Sequence, residues 1–218
     1  MRRFLLLVFV AVVAFFAGRV WELAKVPRDT VFPADEARST SGRFLSPLSV
    51  APMCGRRCGV ERWDVKTLSD PERHEVNLVP IPASVESLAA LPRPDVQSRG
   101  RAAPVELTTF VVEAFLVAWD NEADEDIHIV LADPRNPRFT LVAEIPDPGC
   151  AGSCASGLGE QFARARASLA EVLQRPNPND EPIRIRVSGV GFFDRNHGQL
   201  GAAPNFIELH PVLTLVAF

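Results

Sequence analysis

One stretch of helical period stands alone among five stretches of strand period, and that order limits the folds open to the chain. Residues 105–119 form a long run rich in β-branched and aromatic side chains. Residues 127–131 and 139–145 follow, joined by the turn-forming Asp133-Pro134-Arg135-Asn136-Pro137. Between residues 159 and 175 the pattern changes. Phe162, Ala165, Leu169 and Val172 or Leu173 recur at helical spacing until Pro176 stops them. Ile183-Arg184-Ile185-Arg186-Val187 returns to strict alternation, and residues 207–218 supply a last strand. The order β-β-β-α-β-β predicts a mainly β domain built as an OB-fold-like five-stranded barrel. A ferredoxin-like domain would need a helix after the first strand, and 119–126 is too short to hold one. Upstream, residues 61–70 read as a short strand ending at Asp70-Pro71, and 84–91 as a short helix stopped by Pro92.

The four cysteines fall into two matched pairs, Cys54-x3-Cys58 and Cys150-x3-Cys154. In a reducing compartment such knuckles would suggest a four-cysteine zinc site, whereas in an exported chain disulfides are the better reading. Four cysteines allow three pairings. A cross-link closing a loop of about 90 residues stabilises by on the order of 4–5 kcal/mol in the chain-entropy model, and a local loop by only about 2. That difference favours Cys58–Cys150 with Cys54–Cys154 outside it, pinning 54–70 to the barrel. Neither pair has the C-x-x-C spacing of a redox thiol.

Export is the reading of the N-terminus. Met1-Arg2-Arg3 precedes the unbroken apolar run FLLLVFVAVVAFFA at 4–17, a basic region followed by an apolar one. The run is shorter than the roughly 20 residues of a full span, yet small residues are badly placed for cleavage and no lipobox cysteine follows. Residues 1–23 are therefore expected to be a signal peptide or an uncleaved signal anchor, with Arg19 snorkelling at its outer end. Residues 24–53, carrying Pro27, Pro33, Pro47 and Pro52, read as a linker, and 54–218 as the barrel domain with an N-terminal extension. Either fate puts the bulk of the chain in the periplasm, on the envelope or outside the cell, and an uncleaved helix would make the membrane a partner.

A composition of 47% hydrophobic and 23% charged residues excludes wholesale disorder. The formal charge is −4, and removing the segment through Ala17 leaves 21 basic against 27 acidic residues, or −6. That balance argues against nucleic acid, whose binders draw on released counterions and are usually basic.

Two polar stretches carry the candidate chemistry. Residues 120–126 hold five carboxylates, Asp120, Glu122, Asp124, Glu125 and Asp126, and lead into His128. The second stretch runs from Asp194 through His197 into Glu208 and His210. In strand geometry Asp126 and His128 share one face, as do Glu208 and His210. On the expected topology these stretches lie between strands 1 and 2 and between strands 4 and 5, at the usual OB binding face. Imidazole with carboxylate suits a divalent first-row metal, so Asp126, His128, His197, Glu208 and His210 are the candidate ligands. The acidic loop Asp120, Glu122, Asp124, Glu125 is a candidate site for a cation or a basic partner. It is no EF-hand, since glycine is missing at its sixth position and Leu131 occupies its twelfth. The plainer alternative is a solvated acidic turn beside histidines that tie loop backbone together.

Several segments together resemble a family of bacterial exported or lipoprotein-like proteins to which no activity is assigned. They are Glu61-Arg62-Trp63-Asp64-Val65-Lys66-Thr67, Asp126-Ile127-His128-Ile129-Val130-Leu131, Ala143-Glu144-Ile145-Pro146-Asp147-Pro148 with Cys150, Gly189-Val190-Gly191-Phe192-Phe193-Asp194, His197-Gly198-Gln199 and Ala203 to Val212. The resemblance implies location and fold. The expectation is therefore an envelope-associated binding or structural module with its site in the 120–128 and 194–210 loops and no obligatory cofactor. The alternative is a divalent-metal-dependent hydrolase, nuclease- or phosphoesterase-like, built on the His/carboxylate set.

Overall fold

The computed structural model describes residues 54–95, 100–177 and 181–218. Residues 1–23, expected to be a signal peptide or anchor, and residues 24–53, expected to be a linker, lie outside the described residues. Among the described residues there are six strands: β1 Asn77–Ala83, β2 Thr108–Asn121, β3 Ile127–Ala132, β4 Thr140–Ile145, β5 Ile183–Phe193 and β6 Ile207–Ala217. The helices are α1 Trp63–Lys66, α2 Val85–Ala89, α3 Ala151–Ser156 and α4 Gly159–Gln174.

The strands are ordered β1-β2-β3-β4-β6-β5, and β2 also pairs with β5. That extra pairing closes β2 to β6 into a five-stranded barrel and leaves β1 at its edge. The pairings β1–β2 and β4–β6 are parallel and the others antiparallel. With α4 between its third and fourth strands, this is the OB-fold-like barrel the sequence order predicts. Closure depends on the length of β2. Its Thr109–Leu116 half pairs with β5, its Phe115–Asn121 half pairs with β3, and the register shifts between Leu116 and Ala118. The register of β5 against β6 also shifts around Gly189. A Cβ at Gly189 would stand 2.9 Å from both Leu209 Cβ and the Pro211 carbonyl, so only glycine lets the two strands approach there.

Alternation sorts the wall. Val112 and Ala114 of β2, Ile129 and Leu131 of β3, Leu141, Ala143 and Ile145 of β4, and Ile207 and Leu209 of β6 form one apolar core. Ala165, Leu169 and Val172 from one stripe of α4 join it, as do Val85 and Leu88 of α2. Ser84 caps α2 through a capping box with Ser87, and Asp133 Oδ2 accepts from the Glu86 N–H at 3.1 Å. Asn205 Nδ2 donates to the carbonyls of Leu88 and Leu91 at the other end, which ties the β5–β6 loop to α2.

The extension lies against the outside of the barrel. Disulfides Cys54–Cys154 and Cys58–Cys150 bind it to α3, in the nested pairing that loop length favours. Its Leu68 and Val76 pack with Val190, Leu213 and Phe162 in a second, smaller cluster. Arg62 reaches Glu106 with both terminal nitrogens, at 3.0 and 2.5 Å. One expectation is corrected here, and one strand is added that the sequence reading did not include. Residues 61–70 contain helix α1 rather than a strand: the Thr67 N–H and hydroxyl both bond the Trp63 carbonyl and close the turn, and Leu68 leaves it with φ 54°. The stretch NLVPIPA is strand β1; Pro80 and Pro82 each remove a ladder donor, which suits only the edge position it takes.

Candidate functional site

The residues left facing outward on three adjacent strands make the site. On β3, β4 and β6 the apolar partners turn into the barrel, so His128, Glu144, Glu208 and His210 turn out. Register brings them together: His128 stands opposite Glu144, and Val142 of β4 stands opposite Glu208. The β2–β3 and β5–β6 loops flank this wall, as they flank the ligand face of an OB barrel. Here the chain covers that face itself. Lys66 of α1 reaches over it, with Nζ 3.8 Å from Glu144 Oε2, 3.5 Å from Asp194 Oδ2 and 5.4 Å from the Phe192 ring centroid. The Arg62 guanidinium lies 4.6 Å over the same ring.

Contacts within the cluster are specific. His210 Nε2 is 3.1 Å from Asp126 Oδ2, and its Nδ1 is 2.8 Å from Glu144 Oε2 and 3.9 Å from Glu208 Oε2. His128 Nδ1 lies 3.1 Å from Glu122 Oε1 and 3.3 Å from Glu144 Oε1, while its Nε2 is 3.0 Å from the Leu200 carbonyl. Gln199 Nε2 donates to Glu208 Oε1 at 3.3 Å. Among the described residues two groups have ligand-type atoms close enough to share an ion, Glu122-His128-Glu144 and Asp126-Glu144-His210.

Burial and charge pull against each other throughout. Burial works to lower His128, but the Glu122 and Glu144 carboxylates outweigh it and push the imidazole up to about 10. The same contest raises His210 well above its ordinary value, with Glu144 and Asp126 the main partners. Burial would raise Glu144, yet both histidines and Lys66 hold it well below the usual carboxylate range. Glu208 goes the other way: burial, reinforced by the charge of Glu144, lifts it to about 7. Asp126 is also raised, by burial first. Burial opposes the Lys66 ammonium, and Glu144 and Asp194 more than restore it, so its pKa rises.

Of the five candidate ligands, Asp126, His128, Glu208 and His210 belong to this cluster, and His197 does not. β5 runs on through Phe193, further than its alternating start suggests. Asp194 is then held by the Phe206 carbonyl, and His197 stands 51% exposed with Nε2 3.2 Å from Asp194 Oδ2. The stretch 194–210 is thus loop only to residue 206, and Glu208 and His210 are strand residues. The acidic loop does not hold its carboxylates free as a set. Glu122 serves His128, Glu125 pairs with Arg56 at 3.3 Å, and Asp124 accepts from the Asp126 N–H at 3.3 Å. Asp120 is exposed.

Glu144 and Lys66 escaped the sequence reading. Glu144 could have been found as the one charge in the strand pattern 139–145, opposite His128 once the 133–137 turn is accepted as a hairpin. Lys66 carries no comparable signal, since its place depends on the disulfides folding the extension across the barrel. No family model, no curated protein and no solved structure matches the chain.

Proposed function

We propose that the protein is an exported, envelope-associated binding or structural module that meets its partner through the exposed parts of the 120–126 and 194–206 loops. The observation that carries this reading is the sealing of the His/carboxylate cluster. Asp126 and His210 are 0% exposed, Glu208 1% and Glu144 2%. A hydrolase must bring a reacting atom to within hydrogen-bond reach of its acid, base or metal-bound water, and no substrate reaches these groups beneath Lys66 and Arg62. At the same end of the barrel, Asp120, Glu125 and Leu200 do face solvent. An acidic rim with an apolar tip suits a partner carrying basic and apolar groups, and it repels a nucleic-acid backbone.

Two disulfides fit an oxidising, extracytoplasmic compartment, and the basic-apolar start of the chain supports export there. Among the described residues no helix is long and apolar enough to cross a membrane. A photo-crosslinking residue placed at Leu200 in cells is expected to give a discrete adduct. The same residue at Val216, equally open on β6, is expected to give none. Adducts at both positions or at neither would overturn the loop surface. Turnover of a phosphodiester with added Mn²⁺ or Zn²⁺, abolished by Glu208→Gln, would overturn the module in favour of the hydrolase.

A further inference from the structure

We propose that Glu144, Glu208 and His210 form a buried site for a single divalent first-row cation, one that braces the barrel wall beneath the extension. The site goes beyond the loop-binding reading and does not depend on it.

Buried polar atoms in a folded protein nearly all have a hydrogen-bond partner, and exceptions ask for an explanation. Among the described residues Glu144 Oε2, Glu208 Oε2 and His210 Nδ1 are buried with none. The three residues stand together, and each has its other polar atom engaged. Glu144 Oε1 faces His128 Nδ1, Glu208 Oε1 accepts from Gln199, and His210 Nε2 faces Asp126 Oδ2. The unengaged atoms converge: His210 Nδ1 is 2.8 Å from Glu144 Oε2 and 3.9 Å from Glu208 Oε2. The 2.8 Å approach is not aligned as a hydrogen bond, which is why both of its atoms lack a partner.

Two further features favour a cation over an empty polar corner. A histidine bound to metal almost always gives its other ring N–H to a carboxylate, which fixes the tautomer and aims the free nitrogen. Asp126 is placed to do this for His210, and it is itself held by the Asp147 N–H at 3.3 Å. The charge balance points the same way. Asp126, Glu144, Asp194 and Glu208 are four buried carboxylates, and the positive partners among them are the Lys66 ammonium and the His128 ring beside Glu144, which leaves room for a divalent cation at a neutral His210. That ammonium lies 3.8 Å from Glu144 Oε2, so it balances charge from a distance without taking up the oxygen's lone pair. One imidazole and two carboxylates suit Zn²⁺ or Mn²⁺ rather than Ca²⁺, which takes six to eight oxygens.

Full-length protein purified without chelator and analysed for metals is expected to carry about one equivalent of Zn²⁺ or Mn²⁺. After stripping, Zn²⁺ added at one equivalent is expected to raise the melting temperature by several degrees. Glu208→Gln should abolish stoichiometric binding. Asp126→Asn, which removes only the orienting carboxylate, should weaken it by about 10- to 100-fold. Glu160→Gln, exposed on α4 and paired only with Arg164, should leave it intact. Metal-free protein whose melting does not respond to Zn²⁺ overturns the site, and this wild-type measurement stands even if a variant fails to fold. Binding that survives Glu208→Gln, or is lost on His197→Ala, places the metal elsewhere and overturns it as well. Neither result depends on the crosslinking at Leu200.

Discussion

Replacing Glu106 by alanine should cost more stability than any single change on the barrel surface. The carboxylate is fully buried and collects four hydrogen bonds: two from Arg62, at 3.0 and 2.5 Å, one from the Phe193 N–H at 2.8 Å and one from the Ala102 N–H at 2.7 Å. Breaking a buried pair by removing one partner costs about 3–5 kcal/mol, because the surviving charge is left without its counterion. Each backbone N–H stranded with it adds about 1–3 kcal/mol, less whatever water entering the vacated space returns. Arg62 keeps the Phe193 and Gly100 carbonyls, so the net loss should be on the order of 5 kcal/mol. For a domain of about 165 residues the unfolding entropy is roughly 0.35 kcal/mol/K, which converts that loss to a drop of about 14 °C. Calorimetry and urea denaturation would measure both quantities. The double variant Glu106→Ala with Arg62→Met removes the stranded charge, so it should be clearly more stable than Glu106→Ala alone. A single-variant loss below about 1 kcal/mol, or a double variant no better than the single, would refute the claim that this pair anchors the extension.

Other perturbations probe different parts of the fold. Exchanging Cys58 and Cys150 together for serine leaves the outer Cys54–Cys154 bridge in place and so opens only the short ring between the two bridges. It should lower stability by about 2–3 kcal/mol, with the loss absent under reducing conditions, where both proteins have open loops. In metal-stripped protein, His128 is held protonated in the fold, up to about 10 against 6.5. Its contribution is fully present below pH 6.5 and is lost as pH rises towards 10, so melting temperature should fall over that window and His128→Asn should flatten the slope. A wild-type curve flat between pH 7 and 10 would contradict the ion pairs with Glu122 and Glu144. Gly189→Ala should destabilise by about 1–3 kcal/mol through overpacking against Leu209, and unchanged urea midpoints would show that β5 has room to move there.

How legible the protein is from its sequence depends on the range of the interactions involved. The barrel strands and α4 can be read because alternation and helical period are local and each element buries a face of its own, as Ile183–Val187 and Phe162–Val172 do. The strand at 77–83 and helix α1 could not be read that way. The first is interrupted by two prolines, and the second is four residues long, too short to repeat a helical period. The candidate site was half legible for a related reason. His128, Glu208 and His210 announce themselves as polar positions in apolar strands. Lys66 and Glu144 acquire meaning only through closure of the sheet and the cross-links. His197 looked equivalent to the other histidines in composition and spacing, but β5 continues long enough to leave it in solvent.

The nested cross-links also set a problem of order for an exported chain. If the chain is exported as proposed, Cys54 and Cys58 would leave a translocation channel almost a hundred residues ahead of Cys150 and Cys154. They would meet oxidant while the native partners were still inside the cell, and the nearest available thiol for each would be the other. Oxidation in order of emergence would then yield a short Cys54–Cys58 bridge, which a thiolate must attack before the extension can reach its place. Maturation of such a chain would draw on disulfide isomerisation as well as oxidation. Acid-trapping of newly exported chains should catch the short bridge early, and cells lacking an isomerase should accumulate it; native pairing at full rate in such cells would show that the chain folds before it is oxidised.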